Sequence, residues 1–334
     1  MKDKARALLK EGKDPASERR LIQTKLLEET KNTFEAIAQE WLSISKQRWS
    51  VTYTERVTGT MTSCVLPRLG RLPIGQVTPA MVRDVVSLYE ARGCLESARK
   101  TRRWIGEVFT HAIQTGRLDV NPVAYVKVAS SKVKNHPHLT RAELGDFLRR
   151  LAEYPGNPET RLALELLMLT FVRPGELRAA QWVEFDLETG EWRVPATRMK
   201  GGLEHLVPLS RQAVERLKDL KLFTGYSAYL FPNHGKHPFM SENTLNRALW
   251  LMGYKGRVVA HGFRATASTI LNESGHFSPD AIERQLAHQE SNKVRAVYHR
   301  AEYLPERRRM MQHWADLLDG VRGSSTVTPL RKAS

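Results

Sequence analysis

Apolar residues recur at helical spacing from Thr33 onward, and this pattern marks the start of a folded region. Residues three or four positions apart share one face of a helix, and these apolar side chains follow that spacing: Phe34, Ile37, Ala38, Trp41 and Ile44. Three more helical stretches follow, at roughly 51–66, 79–93 and 96–116. The pattern therefore predicts an all-helical unit of about four helices.

The periodicity is lost between Val126 and Pro137, where the chain is basic and rich in small residues. Such a composition is typical of an exposed linker, and a capping box at Thr140 and Glu143 opens a second folded region. The chain is thus predicted to contain a helical lead-in over 1–32, a helical domain over 33–126, a linker over 127–138, a second domain over 139–320 and a flexible tail over 321–334.

The second domain mixes helical and strand patterns. An apolar helix over 161–171 is predicted to stop at the Pro174-Gly175 turn. Alternating apolar residues around Gly190 predict a small antiparallel sheet, with strands at Trp182–Leu187, Trp192–Val194 and Leu206–Leu209. After about Ser241 the pattern is helical again. The predicted fold class is mostly α with a small antiparallel β-sheet (α+β).

The charge of the chain points to a partner. Its 334 residues include 52 Lys and Arg against 36 Asp and Glu, a formal net charge of +16, and the sequence pI is near 10. Residues 1–135 hold 24 of the basic and 14 of the acidic residues, so most of the excess lies in the first part. Such an excess favours a polyanionic partner, with nucleic acid as the leading candidate; a basic surface that serves only solubility is the alternative.

Several classes of protein are disfavoured by the composition. No apolar run reaches the ~18 residues needed to span a bilayer, and the first residues lack the apolar stretch of a secretion signal. Cys64 and Cys94 lie outside any Cys or His cluster, so neither a zinc site nor a disulfide framework is indicated. We therefore expect a cytoplasmic protein with no membrane contact.

A set of side chains in the second domain indicates phosphodiester chemistry. Breaking such a bond with a protein nucleophile requires cations for the phosphoryl oxygens, an acid for the leaving oxygen and an activated attacking group. These residue types occur in order along the domain: Arg173, Lys200, His261, Arg264, His288 and Tyr298. His261 and Arg264 are one helical turn apart and so face the same way. Each of these elements taken alone, such as His261-x-x-Arg264, is weak evidence for this chemistry.

This ordered set resembles the active-site signature of the tyrosine recombinases, in particular the integrases of satellite phages and genomic islands. The local sequence also resembles that subgroup in several segments, such as Val172-Arg-Pro-Gly-Glu-Leu-Arg178, Gln285-Leu-Ala-His288 and Tyr298-His-Arg-Ala-Glu-Tyr-Leu304. The resemblance covers essentially residues 33–320. It implies a helical core-type DNA-binding domain followed by a catalytic domain.

The resemblance also implies a role for each side chain of the set. Arg173 and Arg264 would clamp the non-bridging oxygens of the scissile phosphate, and the two histidines would donate further hydrogen bonds to it. Lys200 would protonate the departing 5′-oxygen, while Tyr298 would attack and form a 3′-phosphotyrosyl linkage. Because that linkage stores the bond energy, no cofactor and no metal are expected.

Some residues keep two interpretations. Glu176 is either a brace for the arginines or an ordinary carboxylate at a helix N-terminus. His205 is open between a phosphate contact and a structural role. Tyr303 is a distant second candidate for the nucleophile, and the run Arg307–Arg309 is interpreted as a solvated helix face in preference to a DNA contact. Large aromatic residues are expected to fill cores: Trp104, Phe109, Trp182, Trp192, Trp250 and Trp314.

The partners that the resemblance implies are double-stranded DNA attachment sites, used for integration and excision of a mobile element such as a prophage or genomic island. The active form would be a homotetramer on two duplexes with a Holliday-junction intermediate. A directionality factor and a host DNA-bending protein are further expected partners, in association with the bacterial nucleoid. Basic side chains outside the catalytic set are candidate DNA contacts: Arg99, Lys100, Arg102, Arg103, Lys132, Lys134 and His205.

The start of the chain departs from the subgroup. Its relatives usually carry a further amino-terminal domain that binds arm-type DNA sites, and the segment 5–12 resembles the helix that would follow this domain. We therefore expect either a truncated chain or a shorter enzyme, with arm-site binding in question.

Three other functions would account for part of the sequence features described above. A catalytically silent regulator would bind DNA but has no need for all six side chains. A relaxing topoisomerase would apply the same chemistry to any supercoil instead of a defined site. A metal-dependent nuclease would lose activity in EDTA, and neither a Walker loop nor an Asp-x-Asp pair accompanies these motifs. The sequence predicts a recombinase.

Overall fold

The computed structural model describes Asp14, Ala16 and residues 32–129, 136–199, 201–233, 235, 237–288 and 302–323. The chain divides into two compact units, Met1–Val133 and Lys134–Ser334. Most of the predicted lead-in, the middle of the predicted linker and residues 324–334 of the predicted tail lie outside the described residues.

The first unit is helical, as predicted. Its helices are α1 Phe34–Ser45, α2 Val51–Thr60, α3 Leu66–Leu69, α4 Pro79–Glu90 and α5 Leu95–Gln114. A π-helical stretch, Met61–Val65, joins α2 to α3, so the helical path continues past Pro67. The predicted end of this helical stretch at residue 66 is wrong, because Pro67 occupies the first turn of α3, where a missing N–H breaks no intrahelical bond.

The core of the first unit lies along α5. One face of this helix is buried, and it contains Trp104, Val108 and Phe109. The ring of Phe109 lies 5.8 Å from that of Phe34 on α1, and Trp104 donates its Nε1–H to the hydroxyl of Tyr53 on α2 over 2.9 Å. These contacts pack α1 and α2 against α5.

The second unit contains eight described helices and one sheet. The helices are α6 Arg141–Ala152, α7 Pro158–Thr170, α8 Pro174–Arg178, α9 Arg211–Thr224, α10 Thr244–Leu251, α11 Gly262–Ser274, α12 Pro279–Gln285 and α13 Leu304–Gly323. The strands are β1 Phe185–Asp186, β2 Glu191–Val194 and β3 His205–Pro208. They form an antiparallel sheet in the order β1-β2-β3, with Trp192 opposite Val207. The predicted fold class is confirmed.

The first predicted strand is too long. Trp182–Glu184 forms a 3-10 turn, and only Phe185–Asp186 is paired as a strand. The backbone N–H of Trp182 donates to Ala228 O and its Nε1–H to Thr224 O, so this tryptophan is held to the end of α9. The alternating apolar residues at Trp182–Glu184 therefore belong to a turn that packs on the end of α9, and not to a strand.

Helix α7 forms the centre of the second unit. Every residue from Leu162 to Thr170 is buried, which explains its apolar sequence. Trp314 of α13 donates its Nε1–H to Met168 O over 2.8 Å, and its ring lies 6.2 Å from Phe171. The end of α7 is thus fixed by α13.

The predicted placement of the large aromatics is wrong at one position. Trp250 is 51% exposed, with the Lys255 ammonium 5.5 Å from its ring, because the buried face of the short helix α10 consists of Leu245, Ala248 and Leu249. Trp182 is half-buried, and the remaining four are buried: Trp104, Phe109, Trp192 and Trp314.

The linker ends where the second core begins. The capping box predicted at Thr140 is confirmed, with the Glu143 carboxylate accepting the Thr140 N–H. One residue earlier, the buried Thr266 hydroxyl of α11 accepts the Leu139 N–H and donates to the Leu139 carbonyl, each over 3.0 Å. A single hydroxyl therefore satisfies both backbone groups of Leu139.

In the part of the chain that the structure describes, no helix combines the length and apolar character needed to cross a membrane.

Replacing Thr266 with valine should weaken the fold. Valine keeps the side-chain shape, but it leaves the buried N–H and C=O of Leu139 without partners, which costs about 1–3 kcal/mol of unfolding free energy. Urea denaturation followed by tryptophan fluorescence measures the loss. Thr269→Val, an exposed site on the same helix, is the matched control and should change the free energy by less than about 0.5 kcal/mol. Equal losses in the two variants would contradict this account.

Candidate active site

Arg173 lies where α7 gives way to α8. It is the N-cap residue of α8, and its backbone N–H donates to Glu176 Oε2 over 3.0 Å. Its guanidinium donates to Glu176 Oε1 over 2.8 Å and to the carbonyl of Ala287 over 2.9 Å. The Glu176 carboxylate, only 5% exposed, therefore caps the helix and holds the arginine at once.

Arg264 lies in the first turn of α11 and is 5% exposed. Its NH1 donates to Phe171 O over 3.0 Å, and its NH2 donates to Leu286 O over 2.6 Å. The same NH2 lies 3.1 Å from His288 Nε2. Burial, followed by the neighbouring charge of Arg173, lowers the pKa of Arg264 to about 10, so the side chain remains charged at neutral pH.

Two left-handed residues supply carbonyls to these arginines. Phe171 has φ 39° and Ala287 has φ 48°, a conformation that costs a side chain other than glycine roughly 1–2 kcal/mol. Arg264 donates to the carbonyl of Phe171, which lies in the turn that leads into Arg173. Arg173 donates to the carbonyl of Ala287, which lies in the turn before His288. We call Arg173 and Arg264 the crossed arginines. The turn that orients Arg264 leads into Arg173, and the turn that orients Arg173 leads into His288.

His288 is oriented from both sides of its ring. Its Nδ1 lies 2.6 Å from Glu283 Oε2, and its Nε2 lies 3.1 Å from Arg264 NH2. Arginine nitrogens only donate, so Nε2 accepts here and Nδ1 carries the proton that bonds to Glu283. In this state the imidazole is an acceptor toward Arg264.

His261 lies beside an open cavity of about 510 Å³. It is the N-cap residue of α11, and its ring lies 4.9 Å from that of His136. Partial burial, then the charges of Arg264 and His136, lower the pKa of His261 to about 4, so it is neutral at pH 7. The cavity is lined by residues from the Arg173 turn, the sheet hairpin and α10: His136, Arg173, Pro174, Gly175, Glu176, Arg178, Arg198, Glu242, Asn246, Val259, Ala260 and His261.

Lys200 and Tyr298 lie outside the described residues. Two residues before Lys200 in sequence, Arg198 donates to Glu176 O over 2.9 Å and pairs with the carboxylate of Glu184. Arg198 is therefore tied to the helix turn that follows Arg173.

A buried polar network behind the arginines was missed by sequence reasoning. Arg307 is fully buried, and its Nε and NH2 donate to Gln285 Oε1 over 3.1 and 2.8 Å. The expectation of a solvated face is thus wrong for Arg307, although Arg308 is 41% exposed and pairs with Glu191. Charge usually indicates exposure, and nothing in the sequence signalled that a buried amide would accept this guanidinium.

His205 belongs to the same network. It is 2% exposed, and its Nε2 lies 3.1 Å from Gln285 O. Burial, followed by the charges of Arg307 and Arg284, lowers the pKa of His205 to about 3, so the neutral ring donates Nε2–H to this carbonyl. His205 therefore has a structural position, away from the cavity lining.

The candidate DNA contacts of the first unit lie on α5, and several of them bond within that unit. Arg102 donates to the carbonyls of Val123 and Val126, and Arg103 donates to the Tyr53 hydroxyl over 2.7 Å. Arg99 donates to Ala129 O, and Lys100 lies 3.5 Å from a Glu96 carboxylate oxygen. Lys132 and Lys134 lie outside the described residues.

Tyr303, the second candidate for the nucleophile, directly precedes α13. It has φ 48°, and its carbonyl accepts the backbone N–H of Arg307 over 2.8 Å. Its ring is half-buried.

Comparison with known families gives two matches along the chain. Residues 34–129 match the phage integrase central domain, and residues 137–304 match the phage integrase family. The second match alone spans half of the chain.

Individual relatives and solved structures agree with these matches. The integrase of Enterobacteria phage P4 is 40% identical, over 95% of this chain and 76% of its own length. Prophage integrase IntZ of Escherichia coli (strain K12) is 39% identical, over 86% of this chain and 71% of its own length. A lambda integrase tetramer bound to a Holliday junction has the same fold, with a TM-score of 0.64 and 20% identity over 78% of this chain and 79% of that one.

The family match over half of the chain and the extended identity to curated integrases lead to one conclusion. This chain belongs to the phage integrase family and is a tyrosine-type site-specific recombinase.

Proposed function

We propose that six side chains carry out DNA strand breakage and rejoining in this recombinase: Arg173, Lys200, His261, Arg264, His288 and Tyr298. The observation that carries the proposal is the pair of crossed arginines, whose guanidinium groups are held by backbone carbonyls of the second unit. Arg173 lines the open cavity together with His261. Planar donors held in this way suit the oxygens of a phosphate.

Arg173 and Arg264 bind the two non-bridging oxygens of the scissile phosphate. Negative charge grows on these oxygens in the pentacoordinate transition state, so preformed cationic donors stabilise that state more than the bound substrate. Because backbone carbonyls already orient both guanidinium groups, DNA binding requires little reorganisation of them.

The two histidines add hydrogen bonds to the same phosphate. His261 is neutral in the free protein, and an adjacent phosphate would raise its pKa above the value of about 4. His288 accepts from Arg264 in the free protein, so it donates to DNA only once that N–H turns to the phosphate and Nε2 carries a proton.

Tyr298 and Lys200 complete the reaction. The Tyr298 hydroxyl releases its proton to solvent, its oxygen attacks the phosphorus to form a 3′-phosphotyrosyl bond, and the 5′-oxygen leaves with a proton from Lys200. In the reverse step a 5′-hydroxyl attacks the same phosphorus and gives its proton to Lys200, while the phosphotyrosyl bond breaks and the Tyr298 oxygen takes a proton from solvent. The bond energy is conserved, so the cycle consumes no nucleotide cofactor.

The substrate of this chain is double-stranded DNA at attachment sites, in keeping with its formal charge of +16. Affinity then comes mainly from phosphate contacts, while base contacts select the site. A solved relative forms a tetramer on a Holliday junction, and this chain acts as the same assembly. A directionality factor and a DNA-bending protein select integration or excision within the bacterial cytoplasm.

Tyr298→Phe should abolish the covalent adduct and preserve DNA binding. The substitution removes the attacking oxygen and leaves the aromatic ring. An attachment-site duplex, located by the region that the protein protects, is nicked so that the released strand end diffuses away. The native enzyme should then become covalently attached to the 3′ side, as seen on a denaturing gel, while the variant shifts the duplex with an unchanged Kd and forms no adduct.

Tyr303→Phe is the matched control for this experiment. It removes the same oxygen five residues away and should leave adduct formation intact. An adduct formed by Tyr298→Phe, or lost in Tyr303→Phe, would assign the nucleophile to another residue.

Lys200→Ala should be rescued by a better leaving group. A bridging 5′-phosphorothiolate leaves as sulfur without a proton, so a general acid is not required. We expect single-turnover cleavage by Lys200→Ala to be slowed about 100-fold or more on normal DNA and to return to within about threefold of native on the thiolate substrate.

Arg173→Ala separates this role from phosphate binding. Its charge serves the non-bridging oxygens whichever atom leaves, so the sulfur substrate should not restore its activity. If Lys200→Ala remains equally slow on both substrates, the lysine is a phosphate-binding residue and another group is the acid.

A further inference from the structure

The end of the linker is fixed tightly to the start of α11. The carbonyl of Pro137 accepts the Val259 N–H over 3.4 Å, and Leu139 makes its two hydrogen bonds to Thr266. A Cβ atom on Gly262 would lie 2.1 Å from the Pro137 oxygen, so the backbone approach is possible only because residue 262 is glycine. Residues 136–139 therefore form a fixed edge of the second unit.

This fixed edge brings one imidazole to the cavity. The His136 ring is exposed, lies 4.9 Å from the His261 ring at an angle of 60°, and lines the same 510 Å³ cavity as Arg173. An exposed side chain contributes little to the core, so core packing alone does not account for this position.

The charges around the two rings favour an anion between them. The charged or titratable groups that face His261 are Arg264, His136, Arg173 and His288. Two carboxylates line the cavity: Glu176 is hydrogen-bonded to the side chain and backbone of Arg173, and Glu242 interacts electrostatically with Arg178. A negative group beside both imidazoles raises their pKa values and so favours protonation of both rings.

We propose that His136 is a further phosphate-binding residue of the active site, brought by the linker and donating a hydrogen bond to the scissile phosphate beside His261. The proposal rests on the function proposed for Arg173 and His261. It adds a residue of the predicted linker to the active site of the second unit.

The consequence is a contact that tightens during the reaction. As charge builds on the phosphate, attraction to both imidazoles grows and their mutual repulsion is offset. The contact therefore acts more on the cleavage rate of bound DNA than on affinity, which comes from many phosphate contacts.

The test compares His136→Ala with His138→Ala, a second exposed histidine two residues along the same edge. Single-turnover cleavage of a nicked attachment-site duplex is measured at saturating enzyme, and Kd is measured separately. We expect His136→Ala to be slowed about 10- to 100-fold with Kd changed less than about threefold, and His138→Ala to match native enzyme. His136→Gln, whose amide can still donate, should recover part of the rate.

A second readout detects the contact without DNA. Removing the neighbouring imidazole relieves its repulsion and part of the burial, so the pKa of His261 should rise when NMR follows its titration in His136→Ala. The melting temperature should be unchanged, since the His136 ring is exposed.

Several outcomes would overturn the proposal: native cleavage by His136→Ala, equal losses in His136→Ala and His138→Ala, a loss confined to Kd, or an unchanged pKa of His261. Arg173→Ala in the same assay distinguishes a failure of the role proposed for His136 from a failure of the proposed function. If Arg173→Ala loses cleavage and His136→Ala does not, only the role of His136 fails. If Arg173→Ala cleaves normally, the proposed function itself fails.

Discussion

The hydrogen bonds that two arginines donate to the carbonyls of two left-handed residues determine how the site is built. Phe171 and Ala287 hold strained backbone conformations, and their carbonyl oxygens accept from Arg264 and Arg173. The strain, roughly 1–2 kcal/mol at each residue, persists only where surrounding structure fixes the turn. Here that structure is the end of α7 on one side and the end of α12 on the other.

The buried network explains how those two turns are kept together. Gln285, at the end of α12, donates its amide N–H to the carbonyl of Thr170, at the end of α7, over 3.3 Å. Its side-chain oxygen accepts from the buried Arg307 of α13, and its backbone carbonyl accepts from His205 of β3. Thr170 and Gln285 directly precede the turns that contain the strained residues. The side-chain amide of Gln285 therefore links the two turns whose carbonyls accept from the arginines. A buried guanidinium without such acceptors would be strongly destabilising.

Periodicity and motif order predicted much of this structure. The four helical stretches of the first unit, the capping box at Thr140 and the antiparallel sheet are confirmed, because they depend on local patterns of apolar and polar residues. The order of the six side chains pointed to the recombinase family, to which the chain belongs. The roles of these residues remain proposals, and two of them, Lys200 and Tyr298, lie outside the described residues.

Features that depend on long-range contacts could not be predicted. The positive φ of Ala287 follows from the turn before His288, and nothing in Leu286-Ala287-His288 resembles a glycine turn. Arg307 is buried although the next two residues in sequence are also arginines, because only tertiary contacts supply its acceptors. His136 lies beside His261 because Gly262 permits a close backbone approach, and that reason becomes visible only in the structure.

The central claim is that fixed orientation of the arginines, beyond their charge, stabilises the transition state. Arg264→Lys tests it most directly, since lysine keeps the charge but cannot donate to Phe171 O, Leu286 O and a phosphate in one plane. Single-turnover cleavage by Arg264→Lys at saturating enzyme should fall by about 100-fold or more, with the Kd for DNA changed less than about threefold. Cleavage close to native in this variant would show that a point charge suffices and would contradict the account.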